Sequence, residues 1–354
     1  MVKKSKSNVT KKPFITLRLG EFHDLACELL KQRGTAQAVA SQVVDELVMN
    51  EMNGYRSHGL LRLLEYVQLL EQGHIISDSQ PLVHKKNEFL TDIHGKKCFG
   101  VLSAQAISEA LIQHLRHTQF GFVKLINSGH IGRLRSIASP VCEQGGVVIG
   151  FSNLSGAGQN VLAYGGNKGR LCTNPIVIGV PSKPPIILDM STSTVSEGKV
   201  RERWLKGEKV PRGWLFDKDW HSVCDPEKFY KNPKEAFLAP LGGKELGYKG
   251  FGLGLMTEIF AGILTDGGFS QATSAAINNN ALFFVFHPSF LGQTLEAFQE
   301  KVDVLIQYLR SSSVNDELHV PDWNVEPQLK NLDEKQSLSI DLILFKKLKK
   351  LLNA

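Results

Sequence analysis

The feature that most limits the fold is a change of period near residue 120. Up to His117 the apolar residues recur every three to four positions, the spacing of helices buried on one side. The spacing predicts helices over Leu17 to Lys31 and Thr35 to Met52, with Gly34 between them and Val39, Val43, Leu47 and Val48 facing inward. A third helix follows Ser57, with Leu60, Leu63, Leu64, Val67 and Leu70 as its stripe. Ser57 is placed to cap its start and Gly73 to end it. A fourth is expected from Ser103 to His117, with Ala104, Ile107, Ala110, Leu111 and Leu115 inward.

Beyond that point the pattern is one of short β-rich runs bounded by Gly, Pro and Asn: Phe120 to Ile126, Gly146 to Asn153, Thr173 to Val180 and Pro185 to Met190. Ile131 to Glu143 reads as a helix between the first two. Residues 201–240, with Trp204, Pro211, Trp214, Trp220 and Pro226, read as a long irregular excursion, a kind of segment that is often functional. Phe251 to Leu264 is a glycine-rich helix, Ala281 to His287 a buried strand and Leu295 to Arg310 a helix. A last helix would bury Leu342, Phe345, Leu348 and Leu352 and expose Lys346, Lys347, Lys349 and Lys350. This is an α/β pattern with a helical N-terminal part.

Charge and cysteine usage exclude several functions. Much of the net charge of +6 sits in an N-terminal tail (Lys3, Lys4, Lys6, Lys11, Lys12) and in the C-terminal helix. No basic stripe interleaved with aromatics crosses the middle, so nucleic acid is not an expected partner, whereas anionic small molecules fit. The five cysteines are odd in number and far apart, which suggests neither a zinc site nor a disulfide framework. No apolar run is long enough for a bilayer, and no signal-peptide core opens the chain, so a cytoplasmic location without membrane attachment is expected.

Several stretches carry groups suited to chemistry. Ser57-His58-Gly59 leads into the third helix, and four residues advance a helix by about 400°. His58, Arg62 and Tyr66 therefore form one polar ridge: a titratable imidazole, a guanidinium able to grip a carboxylate in two places, and a phenol. Asn127-Ser128-Gly129-His130-Ile131-Gly132 joins a β run to a helix, whose N-terminus favours anions. His130 there is open to two readings, an acid/base or ligand contact, or a residue that closes a turn. Gly165-Gly166 and Thr173-Asn174-Pro175 make a third stretch. Asp189, Met190 and Ser191 end a β run, and Asp189 either orients His58 in a Ser/His/Asp network or caps a turn. Gly242 to Gly252 holds Tyr248 and Lys249 among glycines that allow close backbone approach. Walker A, HExxH and GxSxG motifs are absent, and Gly156-Ala157-Gly158-Gln159-Asn160-Val161 lacks the third glycine of GxGxxG.

Taken in order, SHGLLRLLEYVQLLEQGHI, NSGHIG, GGNKGRLCTNP, LDMSTSTVSEGK, VPRGW and GYKGFGLGLMTEI run over nearly the whole chain. This combination resembles the malate/L-lactate dehydrogenase family of NAD(P)-dependent 2-oxoacid reductases. The resemblance implies a non-Rossmann α/β fold with a mixed-sheet cofactor-binding domain, NAD or NADP as cofactor, a small anionic 2-oxoacid substrate, no metal and a homodimer. Residues 1–14, with their five lysines, are expected from composition to be a disordered basic tail. Residues 15–118 would be a helical substrate and dimer part packed with the C-terminal return at 301–354, and 119–300 the cofactor-binding part. It also implies His58 as proton donor with Ser57 beside it, His130 as a competing acid/base, and Arg62 as the substrate-carboxylate residue with Tyr66 in the same ridge. Asp189, Met190, Ser191, Tyr248 and Lys249 match cofactor-contact positions, and Asp189 also matches an acid completing a relay. The chain departs from the family at Val320-Pro321-Asp322-Trp323-Asn324, where a glycine is missing. Reduction of a cyclic imine carboxylate needs the same arginine and cofactor. A catalytically silent metabolite-binding relative is a further alternative.

Overall fold

Ile277–Phe286 is a run of apolar and Asn residues that is buried along most of its length. A strand hidden on both faces needs neighbours on both edges, and it has them. It pairs antiparallel with Phe120–Ser128 on one side and Val147–Gly156 on the other, so that Phe283 lies opposite both Val123 and Gly150. In the computed structural model, which describes residues 14–271, 277–312, 320–321 and 332–353, these three strands centre a seven-stranded sheet. Its order is Leu82–Lys85, Leu90–His94, Phe120–Ser128, Ile277–Phe286, Val147–Gly156, Ile176–Val180, Ile186–Met190. The Leu90–His94 and Phe120–Ser128 pair is parallel and every other pair is antiparallel. The sheet is thus mixed, unlike the parallel sheet of a doubly wound fold.

Helices Gly100–His117 and Leu134–Glu143 cover one face. Ile107, Leu111, Ile137, Ala138 and Val141 interdigitate there with Val123, Leu125, Val148, Val177, Phe283 and Val285. Gly150 allows this packing, since a Cβ at that position would run into the Phe283 ring. Aromatic side chains occupy the opposite face: Phe151 stacks on Phe260 at 5.1 Å between centroids, and Phe122 meets Phe284 edge-on at 5.0 Å. Phe260 comes from a π-helical turn, Glu258–Ile263, that continues the glycine-rich helix Gly243–Thr257.

A second core joins helices Leu19–Lys31, Gln37–Met52 and Leu61–Glu71 to the strand Ser337–Asp341 and the helix Leu342–Leu352. Leu338, Ile340, Leu344, Phe345 and Leu348 are buried in it; Leu344 takes the inward place expected of Leu342. Ser337–Asp341 pairs antiparallel with Phe14–Arg18, a strand that local pattern does not announce. No helix among the described residues is long and apolar enough to cross a membrane.

Several expectations are corrected. Residues 201–240 are not an irregular excursion. Leu215–Phe216, Ser222–Val223 and Phe237–Leu238 join Val161–Leu162 and Gly169–Leu171 in a five-stranded sheet, around Val200, Leu215, Phe229 and Leu238. Most of these strands are two residues long, too short to show a period. Ser57 does not cap the third helix: Arg56–His58 is a 3-10 turn and the α-helix starts only at Leu61. The helix expected from Ile131 begins at Leu134, which leaves His130 in the segment before it, outside any helix or strand. Residues 1–13 and 322–324, and with them most of the basic tail and most of the departing Val320–Asn324 stretch, lie outside the described residues.

Phe283 is fully buried where the central strand meets the covering helices. Phe283→Ala is expected to cost about 3–5 kcal/mol, the transfer term plus the cavity left behind, read as a lowered urea midpoint with unchanged slope.

Candidate active site

The Arg56–His58 turn brings Ser57 and His58 to the wall of a cleft of about 790 Å³ between the helical core and the two sheets. The turn is held from below: Glu51 accepts the N–H of Leu60, and Arg62 donates through Nε to the Ser57 carbonyl at 2.9 Å. From the far side Gly198 presses on Ser57 so closely that a Cβ there would strike the Ser57 backbone. Ser57 Oγ sits 3.0 Å from His58 Nδ1. The segment after strand Phe120–Ser128 brings His130 to the same wall, its ring stacked on His58 at 5.7 Å and 21°. Tyr66, one turn along the helix from Arg62, reaches His130 Nδ1 with its hydroxyl at 3.0 Å. The backbone of His130 is pinned by Gly100, where any side chain would collide with the His130 carbonyl. Its neighbour Ile131 donates its N–H to Asn279 of the central strand.

Both imidazoles are therefore engaged at Nδ1 by a hydroxyl, which leaves Nε2 of each as the nitrogen open to a ligand. Burial, followed by the Arg62 guanidinium, lowers both. His58 is held well below the usual histidine range, with His130 also opposing its charge, and His130 is pushed down to about 3. In the ligand-free protein both rings are therefore neutral at physiological pH.

Arg62 is more constrained than its place on a polar ridge suggested. Nη1 donates to Glu65 at 2.7 Å, and Nη2 lies 3.8 Å from Glu197. Arg201 closes the set, donating through Nη1 to the same Glu65 oxygen at 2.6 Å and through Nε to Glu197 at 3.1 Å, where Tyr230 also donates at 2.7 Å. Two guanidinium groups and two carboxylates thus balance in an enclosed site. Against the burial that raises it, Arg62 and Arg201 hold the Glu65 carboxyl far below the carboxylate range. Sequence reading named Arg62 and not its three partners. The spacings Arg62 to Glu65 and Glu197 to Arg201, one helical turn each, were the signal available.

Asp189, Met190 and Ser191 line the other side of the cleft, with Gly158, Thr173, Asn174 and Lys199. The Asp189 carboxylate accepts the N–H of Arg135 at 2.9 Å, so it occupies the helix N-terminus that was expected to attract an exogenous anion. Burial raises its carboxyl, opposed by that hydrogen bond and by Arg133 and Arg135. The carboxylate is thus engaged by a backbone amide rather than by His58. Tyr248 and Lys249 stand on the exposed side of helix Gly243–Thr257, outside the cleft of a single chain. Gly166 is likewise elsewhere, accepting from the Trp220 indole. Among the described residues, the cluster with metal-like spacing is Asp217, Asp219 and His221, on a turn that does not line the cleft.

A family model described as malate/L-lactate dehydrogenase matches residues 17–349. A malate dehydrogenase of Pyrococcus horikoshii is 32% identical over 291 residues, covering 80% of this chain and 79% of the other. The sulfolactate dehydrogenase structure of Methanocaldococcus jannaschii superposes with a TM-score of 0.77 at 25% identity, covering 96% of this chain and 97% of that one. A delta1-piperideine-2-carboxylate reductase from Pseudomonas syringae shares the fold, at TM-score 0.73 and 24% identity over 87% of this chain and 91% of that one. The family match and the named relatives make the chain an oxidoreductase, a dehydrogenase of hydroxyacids. The chain belongs to the malate/L-lactate dehydrogenase family, and membership implies a nicotinamide cofactor and a small acid as substrate. The cleft suits such a nucleotide: its walls mix apolar side chains with hydroxyls, amides and the cations of Lys199 and Lys234, and the buried Asn174 Oδ1 has no protein partner.

A histidine kept neutral in the folded chain makes stability depend on acid. Above about pH 6.5 neither state protonates it. Below that the unfolded chain gains protons that folded His130 refuses down to about 3, so stability falls as pH drops. Urea midpoints between pH 7 and 4.5, above the carboxylate range, should decline, and His130→Gln should flatten the slope. An equal slope in both proteins would contradict the assignment.

Proposed function

We propose that the protein interconverts a small 2-oxoacid and its 2-hydroxyacid with NAD or NADP as cofactor. The observation that carries this reading is the stacked pair of His58 and His130, each fixed at Nδ1 by a hydroxyl and set beside Arg62. The nicotinamide, when bound, supplies or takes the hydride. The chain's own residues do the rest. Arg62 offers Nη2 to the substrate carboxylate while Glu65 and the Ser57 carbonyl hold its other nitrogens, so the acid is oriented by a group that cannot swing. A carboxylate arriving there offsets the Arg62 field that depresses both imidazoles. Protonation of histidine is thereby coupled to substrate binding. In the oxidising direction, a neutral His58 is ready to take the hydroxyl proton, with Ser57 holding the ring and His130 stacked against it. In the reducing direction His58 returns that proton to the oxygen.

Asp189, Met190 and Ser191 are assigned to the cofactor side of the cleft. We also propose a cytoplasmic homodimer. The exposed Leu246, Tyr248, Leu253, Leu255 and Met256 give helix Gly243–Thr257 an apolar outer face of the kind a second copy covers. Tyr248 and Lys249 would then meet cofactor only in that assembly. The five unpaired thiols suit a reducing compartment.

Malate, lactate and sulfolactate, and the matching 2-oxoacids, assayed with each nicotinamide cofactor, test the reading. No turnover of any would overturn it. His58→Ala is expected to lower kcat by about 10²–10⁴ while the cofactor still binds. His130→Ala is the comparison: if it abolishes turnover and His58→Ala does not, the proton belongs to His130. Arg62→Lys loses the planar fork, and mainly KM should rise. For hydroxyacid oxidation, kcat/KM should hold as pH falls through 6.5, because the free-enzyme base titrates well below that. An acid limb at 6.5 would contradict the burial argument.

A further inference from the structure

Asn174 is buried to 1% exposure on the cleft wall, and its amide has only one orientation. Nδ2 lies 3.1 Å from the Gly254 carbonyl and 3.0 Å from Glu258 Oε1. Both neighbours are acceptors, so both amide hydrogens are spent on them. Turning the amide over would set its oxygen against a carbonyl and a carboxylate. Oδ1 is thus fixed toward the remaining direction, and it has no protein partner. The backbone is distorted to hold it there: φ of Asn174 is +37°, in a residue followed by proline, where helical conformations are already disfavoured.

Glu258 sets this orientation. It is itself buried on the π-helical turn, and its other oxygen takes hydrogens from Asn153 Nδ2 at 2.7 Å and the Ser270 N–H at 3.3 Å. Among the described residues no cation pairs with it; neutral amides hold the carboxylate. Asn153 in turn accepts from Asn280, and its carbonyl accepts from Asn279, the residue that receives the Ile131 N–H beside His130. The acceptor at Asn174, itself enclosed, is therefore the unmatched end of a network in which the other polar ends are matched.

We propose that Asn174 is a ligand-binding residue whose Oδ1 accepts a hydrogen bond from an N–H or O–H of the bound nicotinamide nucleotide or acid, and that Glu258 is its positioning residue. The assignment rests on the dehydrogenase reading for the identity of the ligand. The matching donors in such a site are the carboxamide NH2, a ribose hydroxyl and the substrate hydroxyl.

Calorimetry separates these sources without turnover. The probes are NADH or NADPH, whichever binds more tightly, and its reduced 3-acetylpyridine analogue, in which methyl replaces the carboxamide NH2. Oxamate, an acid with an amide N–H, and oxalate, without one, are then titrated into the cofactor complex. A carboxamide contact predicts that wild type prefers the natural cofactor by about 10-fold and that Asn174→Ala removes the preference. An equal loss of about 10-fold for both cofactors in Asn174→Ala places the donor on the ribose. Unchanged cofactor affinity with selective loss of oxamate binding places it on the acid. Glu258→Gln keeps Asn174 itself. Its oxygen is best placed toward the two donors Asn153 and Ser270, so its NH2 faces Asn174 and turns that amide over. It should reproduce whichever loss Asn174→Ala shows while thermal melting still shows a folded protein, and wild-type affinities in Glu258→Gln beside a loss in Asn174→Ala would overturn the positioning role. Unchanged affinities for all probes in folded Asn174→Ala would overturn the binding assignment alone. Wild type that binds neither dinucleotide would overturn the dehydrogenase reading and this assignment with it.

Discussion

A guanidinium taken out of water has to be answered by charge, and the site around Arg62 is built on that requirement. Glu65 comes from the same helix and satisfies one nitrogen; Glu197 comes from a helix more than a hundred residues later. Bringing in a second carboxylate calls for a second cation, and Arg201 supplies it. The four groups dock helix Glu197–Leu205 against the Arg56–His58 turn, where Gly198 lets the backbones touch. Replacing such a network by apolar residues need not weaken a fold, but removing one member leaves a charge exposed to a poor solvent. Its value lies in fixing where Arg62 can point and in setting the field felt by both histidines.

That field gives the histidines a two-state character. With an empty cleft they are neutral, because burial and Arg62 oppose charge. An anion against Arg62 offsets part of the opposition. In the proposed mechanism the site therefore needs no permanently acidic group, since its acid would form only with the complex. Ser57 and Tyr66 each hold one ring at its Nδ1.

Much of the helical framework was legible in the sequence, and Leu295–Arg310 even to its ends, because a period of 3.6 is written in adjacent residues. Ser57, His58, Arg62 and His130 were legible as types able to do proton and anion chemistry, and the structure gathers them at one wall. What was not legible came from distant pairing. Phe14–Arg18 becomes a strand only because Ser337–Asp341 arrives to bond with it. The two-residue strands of the small sheet carry no period. Asn153, Asn279 and Glu258 look like unremarkable polar residues until their segments meet Asn174, whose own stretch the sequence did mark. Asp189 illustrates a competition: a carboxylate at a strand end was read as a candidate for a histidine relay, and the free N–H of a neighbouring helix takes it.

The pairing of Phe14–Arg18 with Ser337–Asp341 also sets an order of events during synthesis. The helices made first share their core with Leu338, Ile340, Leu344, Phe345 and Leu348, which leave the ribosome among the last described residues. The central sheet, whose seven strands are complete by Phe286, has its own core and does not wait for them. Those N-terminal helices therefore cannot complete their core until the distant strand and helix have been made, and until then they leave an apolar groove unfilled.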